Sequence, residues 1–186
     1  MNCSGVMLTL CLILICDCPL AANAKAEGDG AVTVDSHAYK LINEICRETV
    51  KEEANCLKIL KADAKVVRAK HTFEFVKAVL ELAIRKGKEG QNFLRGLLKK
   101  GKSPAIASCA NRLYGGMIGS FWSAIGELKE DPLTASYDAR VAGDGPAYCE
   151  SAIGEEHIVN PAISALNHRS SLLCQIAFLA TNKLPM

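Results

Sequence analysis

The stretch from Cys109 to Cys174, CANRLYGGMIGSFWSAIGELKEDPLTASYDARVAGDGPAYCESAIGEEHIVNPAISALNHRSSLLC, decides the fold. Its three cysteines, Cys109, Cys149 and Cys174, stand 40 and then 25 residues apart. Between them apolar residues recur at helical spacing, and Glu130-Asp131-Pro132 and Val159-Asn160-Pro161 read as turns. Cys109 is expected to begin one helix, Cys149 to lie on the next and Cys174 to sit inside the last. A Cys109–Cys149 bond would then staple two neighbouring helices of an antiparallel bundle. Ile106, Leu113, Met117, Ala124 and Leu128 form one stripe, with Tyr114, Phe121 and Ile125 beside it. Trp122 is expected in the core, and Gly115, Gly116 and Gly119 at a close helix–helix approach. Thr134 begins a third helix, interrupted at Gly143-Asp144-Gly145-Pro146. Pro161 suits the first turn of the last helix, with Asn160 as its cap. Ile163, Leu166, Leu173, Ile176, Ala177 and Ala180 give that helix its core face.

The chain before Cys109 continues the pattern. From Ala64 to Lys100, the positions Val67, Phe73, Val76, Leu80, Ala83, Ile84, Leu94, Leu97 and Leu98 keep helical spacing, and Gly87 and Gly90 predict a kink or break. Ser36 reads as the cap of a short helix reaching Thr49, and a second short helix spans Glu52 to Lys61. A Cys46–Cys56 bond would tie these two into a hairpin. It is too small to bury Leu41, Ile42, Ile45, Leu57, Ile59 and Leu60 alone, so it must dock on the main body or on a partner. Short connections between the long helices predict an all-α, antiparallel up-down four-helix bundle with an N-terminal disulfide-tied hairpin.

Val6 to Cys16 (VMLTLCLILIC) is an apolar run too short to span a bilayer, and Ala22-Asn23-Ala24 follows as a small-x-small cleavage pattern. The expected organisation is a secretory signal peptide over 1–24, a Gly/Ala-rich linker over 25–35 and a helical domain over 36–184. Cleavage removes four of the nine cysteines and leaves five, an odd number that suggests two bonds and one free thiol. Four bonded cysteines allow three pairings; locality favours Cys46–Cys56 and Cys109–Cys149. On a loop-entropy model these contribute about 3 and about 4 kcal/mol.

Composition narrows the function classes. About half of the 186 residues are apolar (49%), aromatics are scarce (5%), and Ala, Leu and Ile abound, which suits close helix packing. The net charge of +2 gives no case for nucleic-acid binding, and the charges read as solvated helix faces. No Gly-x-Ser-x-Gly elbow, His-Glu-x-x-His pair or Cys-x-x-Cys occurs, so neither a catalytic set nor a metal site is expected. Glu155-Glu156-His157 reads as a solvated loop and Cys174 as a buried, inert thiol. A secreted, stapled helical protein without a catalytic set is most economically a binding protein.

The order Ile45-Cys46-Arg47-Glu48-Thr49, Cys56, Cys109 with Tyr114, Cys149, and Leu173-Cys174-Gln175-Ile176-Ala177-Phe178-Leu179-Ala180 resembles the plant invertase/pectin methylesterase inhibitor family. The resemblance covers Ser36 to Leu184. It implies disulfides Cys46–Cys56 and Cys109–Cys149 with Cys174 free, and a proteinaceous inhibitor of the plant cell wall or vacuole, with no cofactor. One branch of the family caps the active-site cleft of pectin methylesterase in a one-to-one complex; the other blocks acid invertase. Either works by steric occlusion, with no chemistry of its own.

The departures lie at the partner-facing positions. Where the pectin methylesterase branch carries Thr before the fourth disulfide cysteine and Asp two residues after it, this chain has Tyr148 and Ser151. Ala142-Gly143-Asp144-Gly145-Pro146 replaces an Ala-rich segment and is expected to distort the binding face. The Pro-Lys-Phe segment of the invertase branch is absent, its nearest counterpart being Pro104-Ala105-Ile106, and Glu52-Glu53-Ala54-Asn55 lacks the proline usual before the second cysteine. The expected function is inhibition of pectin methylesterase, with acid invertase the alternative target, and apoplast or cell wall the expected location. A non-inhibitory carrier or structural bundle is the reading from another class; a carrier would need a cavity in the bundle core, and an inhibitor a filled core with a flat exposed face.

Overall fold

Three of the long helical segments begin in the same way. Ser103, Asp131 and Asn160 each accept a backbone N–H of the coming first turn on a side-chain oxygen, and each is followed by Pro104, Pro132 or Pro161 at the first helical position. The cap satisfies a donor that helix geometry leaves orphaned, and proline supplies a preset φ where no N–H is needed. In the computed structural model, which describes residues 36–99 and 101–185, these starts divide the chain into an up-down bundle. The proposed signal peptide and linker, 1–24 and 25–35, lie outside the described residues.

The elements are α1 Ser36–Glu48, a 3₁₀ turn Val50–Glu52, α2 Glu53–Lys61, α3 Ala64–Val67, α4 Thr72–Leu98, α5 Pro104–Ser108, a π-helical segment Cys109–Leu113, α6 Tyr114–Glu127, α7 Pro132–Val141, α8 Asp144–Glu155 and α9 Pro161–Thr181. Four rods result: α4, the run 104–127, the pair α7–α8, and α9. α4 packs on α6, α6 on α7, α7 on α9 and α9 on α4, so α4 and α7 lie diagonally across the bundle. Phe75, Leu80, Leu94, Tyr114, Phe121, Leu128, Ile163 and Ile176 are fully buried between the rods.

The hairpin docks on its own bundle. Leu41, Ile42, Ile45 and Leu60 are buried, and α1 packs on α9 and α4. Lys183 pairs with Glu48 at 2.7 Å, and His168 Nε2 lies 3.4 Å from Glu52 Oε1. At its corner Thr49 Oγ1 donates to the Cys46 carbonyl at 2.7 Å, and Val50 takes a positive φ of 52°. That left-handed conformation is costly for a β-branched residue and is held here by the bond between Cys46 and Cys56 across the corner.

Several local expectations change. Gly87 and Gly90 do not break α4, which runs unbroken from Thr72 to Leu98; the chain breaks earlier, at 68–71. These glycines are notches. A Cβ on Gly87 would come within 2.8 Å of Met117 Cε, and one on Gly90 within 2.9 Å of both Tyr114 Cε1 and Leu166 Cδ1. Gly116 and Gly119, expected at a close helix approach, face open space, while Gly115 meets only Gln91 Nε2 at 3.6 Å. The tight crossing is at Gly145 instead, where a Cβ would lie 2.6 Å from the Leu113 carbonyl oxygen and 3.1 Å from Met117 Cβ. The third rod begins at Pro132 rather than Thr134, and Phe73 and Trp122 are exposed rather than in the core.

Cys109 lies within its rod rather than at its start. The Tyr114 N–H bonds to the Cys109 carbonyl, five residues back, which is the π pattern. On a regular α-helix residues five apart point about 140° away from each other. The wider turn swings them closer in direction, so Cys109 reaches α8 while Tyr114 enters the core.

Gly145→Ala should destabilise the protein by about 1–3 kcal/mol through overpacking against backbone, despite alanine's better helix propensity. Gly116→Ala, in open space, should stabilise by about 0.5–1 kcal/mol. Urea unfolding of the two variants beside wild type reads both signs.

Candidate functional site

α8 is pinned to the 104–127 rod at three levels. At its start, Gly145 sits against the Leu113 backbone. In its middle, a disulfide joins Cys149 to Cys109, with a Cα–Cα distance of 5.0 Å. At its end, Glu156 accepts from Ser103 Oγ and from the Ala105 N–H, both at 2.8 Å. The segment Glu155-Glu156-His157 is exposed, yet it works as structure. His157 takes a φ of 53° and the Ile158 N–H returns to the Ile153 carbonyl, which ends α8, while Glu156 caps α5.

A fourth tie runs to α9. The Tyr114 hydroxyl donates to Asn167 Oδ1 at 2.9 Å and lies 3.1 Å from Ser170 Oγ. Asn167 Nδ2 donates to Glu150 Oε2 and Ser164 Oγ to Glu150 Oε1, each at 2.7 Å. Tyr114 is fully buried, and burial raises its hydroxyl from the ordinary 10 to about 12. Among the described residues no buried side-chain nitrogen or oxygen lacks a partner.

These ties leave one side of the α7–α8 rod facing solvent. Leu133, Tyr137, Val141 and Tyr148 follow at intervals of four, four and seven, which is one face of a helix. Leu133 is 64% exposed, Tyr137 65% and Tyr148 60%, with Val141 half-buried beside them. The interruption falls at Ala142 and Gly143, ahead of most of the expected Gly143-Asp144-Gly145-Pro146, because Asp144, Gly145 and Pro146 already form the first turn of α8. Ala142 and Gly143 keep right-handed helical dihedrals (φ −53° and −65°), so the face carries across the junction. Ser151 is exposed one turn beyond Tyr148, its hydroxyl donating to the Ala147 carbonyl at 3.3 Å. The structure thus places Tyr148 and Ser151 on one rigid, aromatic-bearing face. Leu133 and Tyr137 carry no motif of their own; the one sequence signal that joins them to Tyr148 is helical spacing.

The other singled-out cysteines take no part in this face. Cys46 and Cys56 are bonded in the hairpin, and Cys174 is a free thiol, buried on α9 and pushed up to about 12 by burial. Among the described residues no three His, Cys, Asp or Glu side chains converge on a metal-sized site. A groove of about 930 Å³ runs outside the bundle, between α2, α4 and α9, with Glu52, Lys58, Arg85, Glu89 and Arg169 among its lining residues.

No protein-family profile matches the chain, and no curated protein matches it. Solved structures that share its fold include two inhibitors. A mutant form of a pectin methylesterase inhibitor from Arabidopsis superposes with a TM-score of 0.66 at 22% identity, over 77% of this chain and 97% of that one. A pectin methylesterase inhibitor from Arabidopsis thaliana superposes with a TM-score of 0.56 at 22% identity, over 79% of this chain and 97% of that one. The bundle with its hairpin is the fold of those inhibitors.

Tyr114→Phe should cost about 1–2 kcal/mol at neutral pH, because Asn167 and Ser170 lose their buried partner. The folded-state value lies above the unfolded one, so the hydroxyl's contribution is whole below pH 10 and is lost as pH rises towards 12. The stability gap between wild type and Tyr114→Phe, measured by urea unfolding, should therefore narrow over that window.

Proposed function

We propose that this protein is a secreted inhibitor of a plant pectin methylesterase that works by laying the outer face of α7–α8 across the enzyme's active-site cleft. In this reading residues 1–24 are a signal peptide, 25–35 a linker and 36–184 the inhibitory domain, delivered to the apoplast or cell wall. The observation that carries the reading is the likeness of the whole fold to two pectin methylesterase inhibitors.

The physical chemistry of the face agrees with steric occlusion. Tyr137 and Tyr148 are large, amphipathic side chains with few rotatable bonds, the type that dominates binding energy at protein interfaces. The helix that carries Tyr148 and Ser151 is held by a disulfide, a backbone contact and carboxylate hydrogen bonds, so little ordering cost remains at association. The inhibitor contributes no reacting group. Tyr148 and Ser151 stand where the resembled family has Thr and Asp, which makes this face the seat of isoform choice.

Purified protein titrated against pectin methylesterase and acid invertase at mildly acid pH should abolish the esterase activity near one equivalent and leave the invertase untouched. Tyr148→Ala should raise the concentration needed tenfold or more, the equivalent of about 1.4 kcal/mol, with no change in melting temperature. Loss of invertase activity instead would transfer the target, and no loss of either would move the carrier reading ahead.

A further inference from the structure

The positive charge of this chain is concentrated in one place. Residues 85–102 contain seven basic residues and one acidic residue, whereas residues 103–186 contain five basic and eight acidic ones. The fold turns that run into a face. Lys88, Arg95 and Lys99 follow at intervals of seven and four on α4, so they share one side of the helix over about 16 Å. All three are exposed, as is Lys102 beyond the helix end. Nearby cations are already engaged: Arg85 pairs with Asp63, and Lys86 with Glu89 at 2.8 Å. Arg95, Lys99 and Lys102 form no ion pair among the described residues.

An aromatic platform adjoins the stripe. The Lys88 ammonium lies 5.7 Å from the centroid of the Trp122 ring on α6, and Trp122 is 52% exposed. Gly115 and Gly119 share the helical side of Trp122, and added Cβ atoms there would meet Gln91 Nε2 at 3.6 Å and nothing within 4 Å, respectively. The indole is thus bordered by bare helix backbone on one side and the Lys88 ammonium on the other. A pyranose ring that bears hydroxyls and a carboxylate fits this combination: the C–H face of its chair lies on the indole, and its carboxylate meets Lys88.

We propose that the outward face of α4 with Trp122 is a second docking surface, which binds an anionic polysaccharide of the polyuronate type. The choice of polymer rests on the proposed function, because hydrolysis of pectin methyl esters leaves uronate carboxylates on the polymer. The surface itself does not. Since α4 and α7 lie diagonally across the bundle, the polymer would be held on the side away from the enzyme-facing aromatics. An inhibitor so built stays on demethylated wall polymer while its other face engages the enzyme, which raises the effective concentration where the enzyme has just acted.

The test is enzyme-free, so it stands or falls separately from inhibition. Purified protein is run through gels containing polygalacturonate, fully methyl-esterified pectin or single-stranded DNA at ~50 and ~200 mM salt. Polygalacturonate should retard it, with affinity falling about tenfold across that salt range, and the esterified polymer should not. Lys88→Gln/Arg95→Gln/Lys99→Gln should lose at least tenfold in affinity, and Trp122→Ala about threefold. Lys40→Gln/Lys51→Gln/Lys129→Gln, with the same charge change elsewhere, should stay within twofold. Absence of retardation, equal retention by esterified pectin, tighter retention by DNA, or an equal loss in the control triple each overturns the proposal.

Discussion

The Tyr114 hydroxyl is the point on which the bundle turns. Its ring fills the notch at Gly90 of α4, its own backbone belongs to α6, and its hydroxyl bonds Asn167 beside Ser170 of α9. Asn167 then hands the network to Glu150 of α8. All four rods therefore meet through one side chain and its partners. A phenol in a fully apolar environment would leave its hydroxyl unpaired, at a cost comparable to a lost hydrogen bond. The satisfied network removes that cost and admits only one register of the four rods, since a shift along any of them separates a donor from its acceptor.

The same network explains why α8 can be short, glycine-bearing and still rigid. Asp144–Glu155 has weak helix signals of its own, with Gly145, Pro146 and Gly154 among its twelve residues. Its order comes from outside: the backbone contact at Gly145, the Cys109 bond, Glu150 to α9 and Glu156 to α5. Glycine at 145 is required because Leu113 leaves no space for a Cβ. An element stabilised wholly by its neighbours is as rigid as they are, which suits a surface that must present Tyr148 in a fixed direction.

Much of the architecture was legible in the sequence because its signals are local. Asn160-Pro161 marks the start of the last helix by cap chemistry that acts within four residues, Glu130-Asp131-Pro132 reads as the turn before the third rod, and the stripe through Leu113, Met117 and Leu128 needs only the 3.6 period. Glycines mislead for the opposite reason. Gly87 and Gly90 look like breakers by propensity, but their role is set by Met117, Tyr114 and Leu166, which arrive from other helices. Trp122 reads as a core residue because large apolar residues usually are, and only the rotation of α6 turns it outward. The net charge of +2 concealed the basic run at 85–102, since a whole-chain sum cancels charges that the fold sets on different faces.

The sequence by itself determined the all-helical class, the order of the long rods and the cap that starts the last of them, because hydrogen bonding, capping and apolar periodicity act over a few residues. Only the tertiary structure decided what faces what. It set the π turn that aims Cys109 at α8 and Tyr114 at the core, the crossing at Gly145, and the aromatic face of α7–α8 diagonal to the basic face of α4. The reason is that a helix's apolar stripe is broader than any one contact. Which residues within it meet is settled by side chains and close approaches from three other rods, and those are distant in sequence.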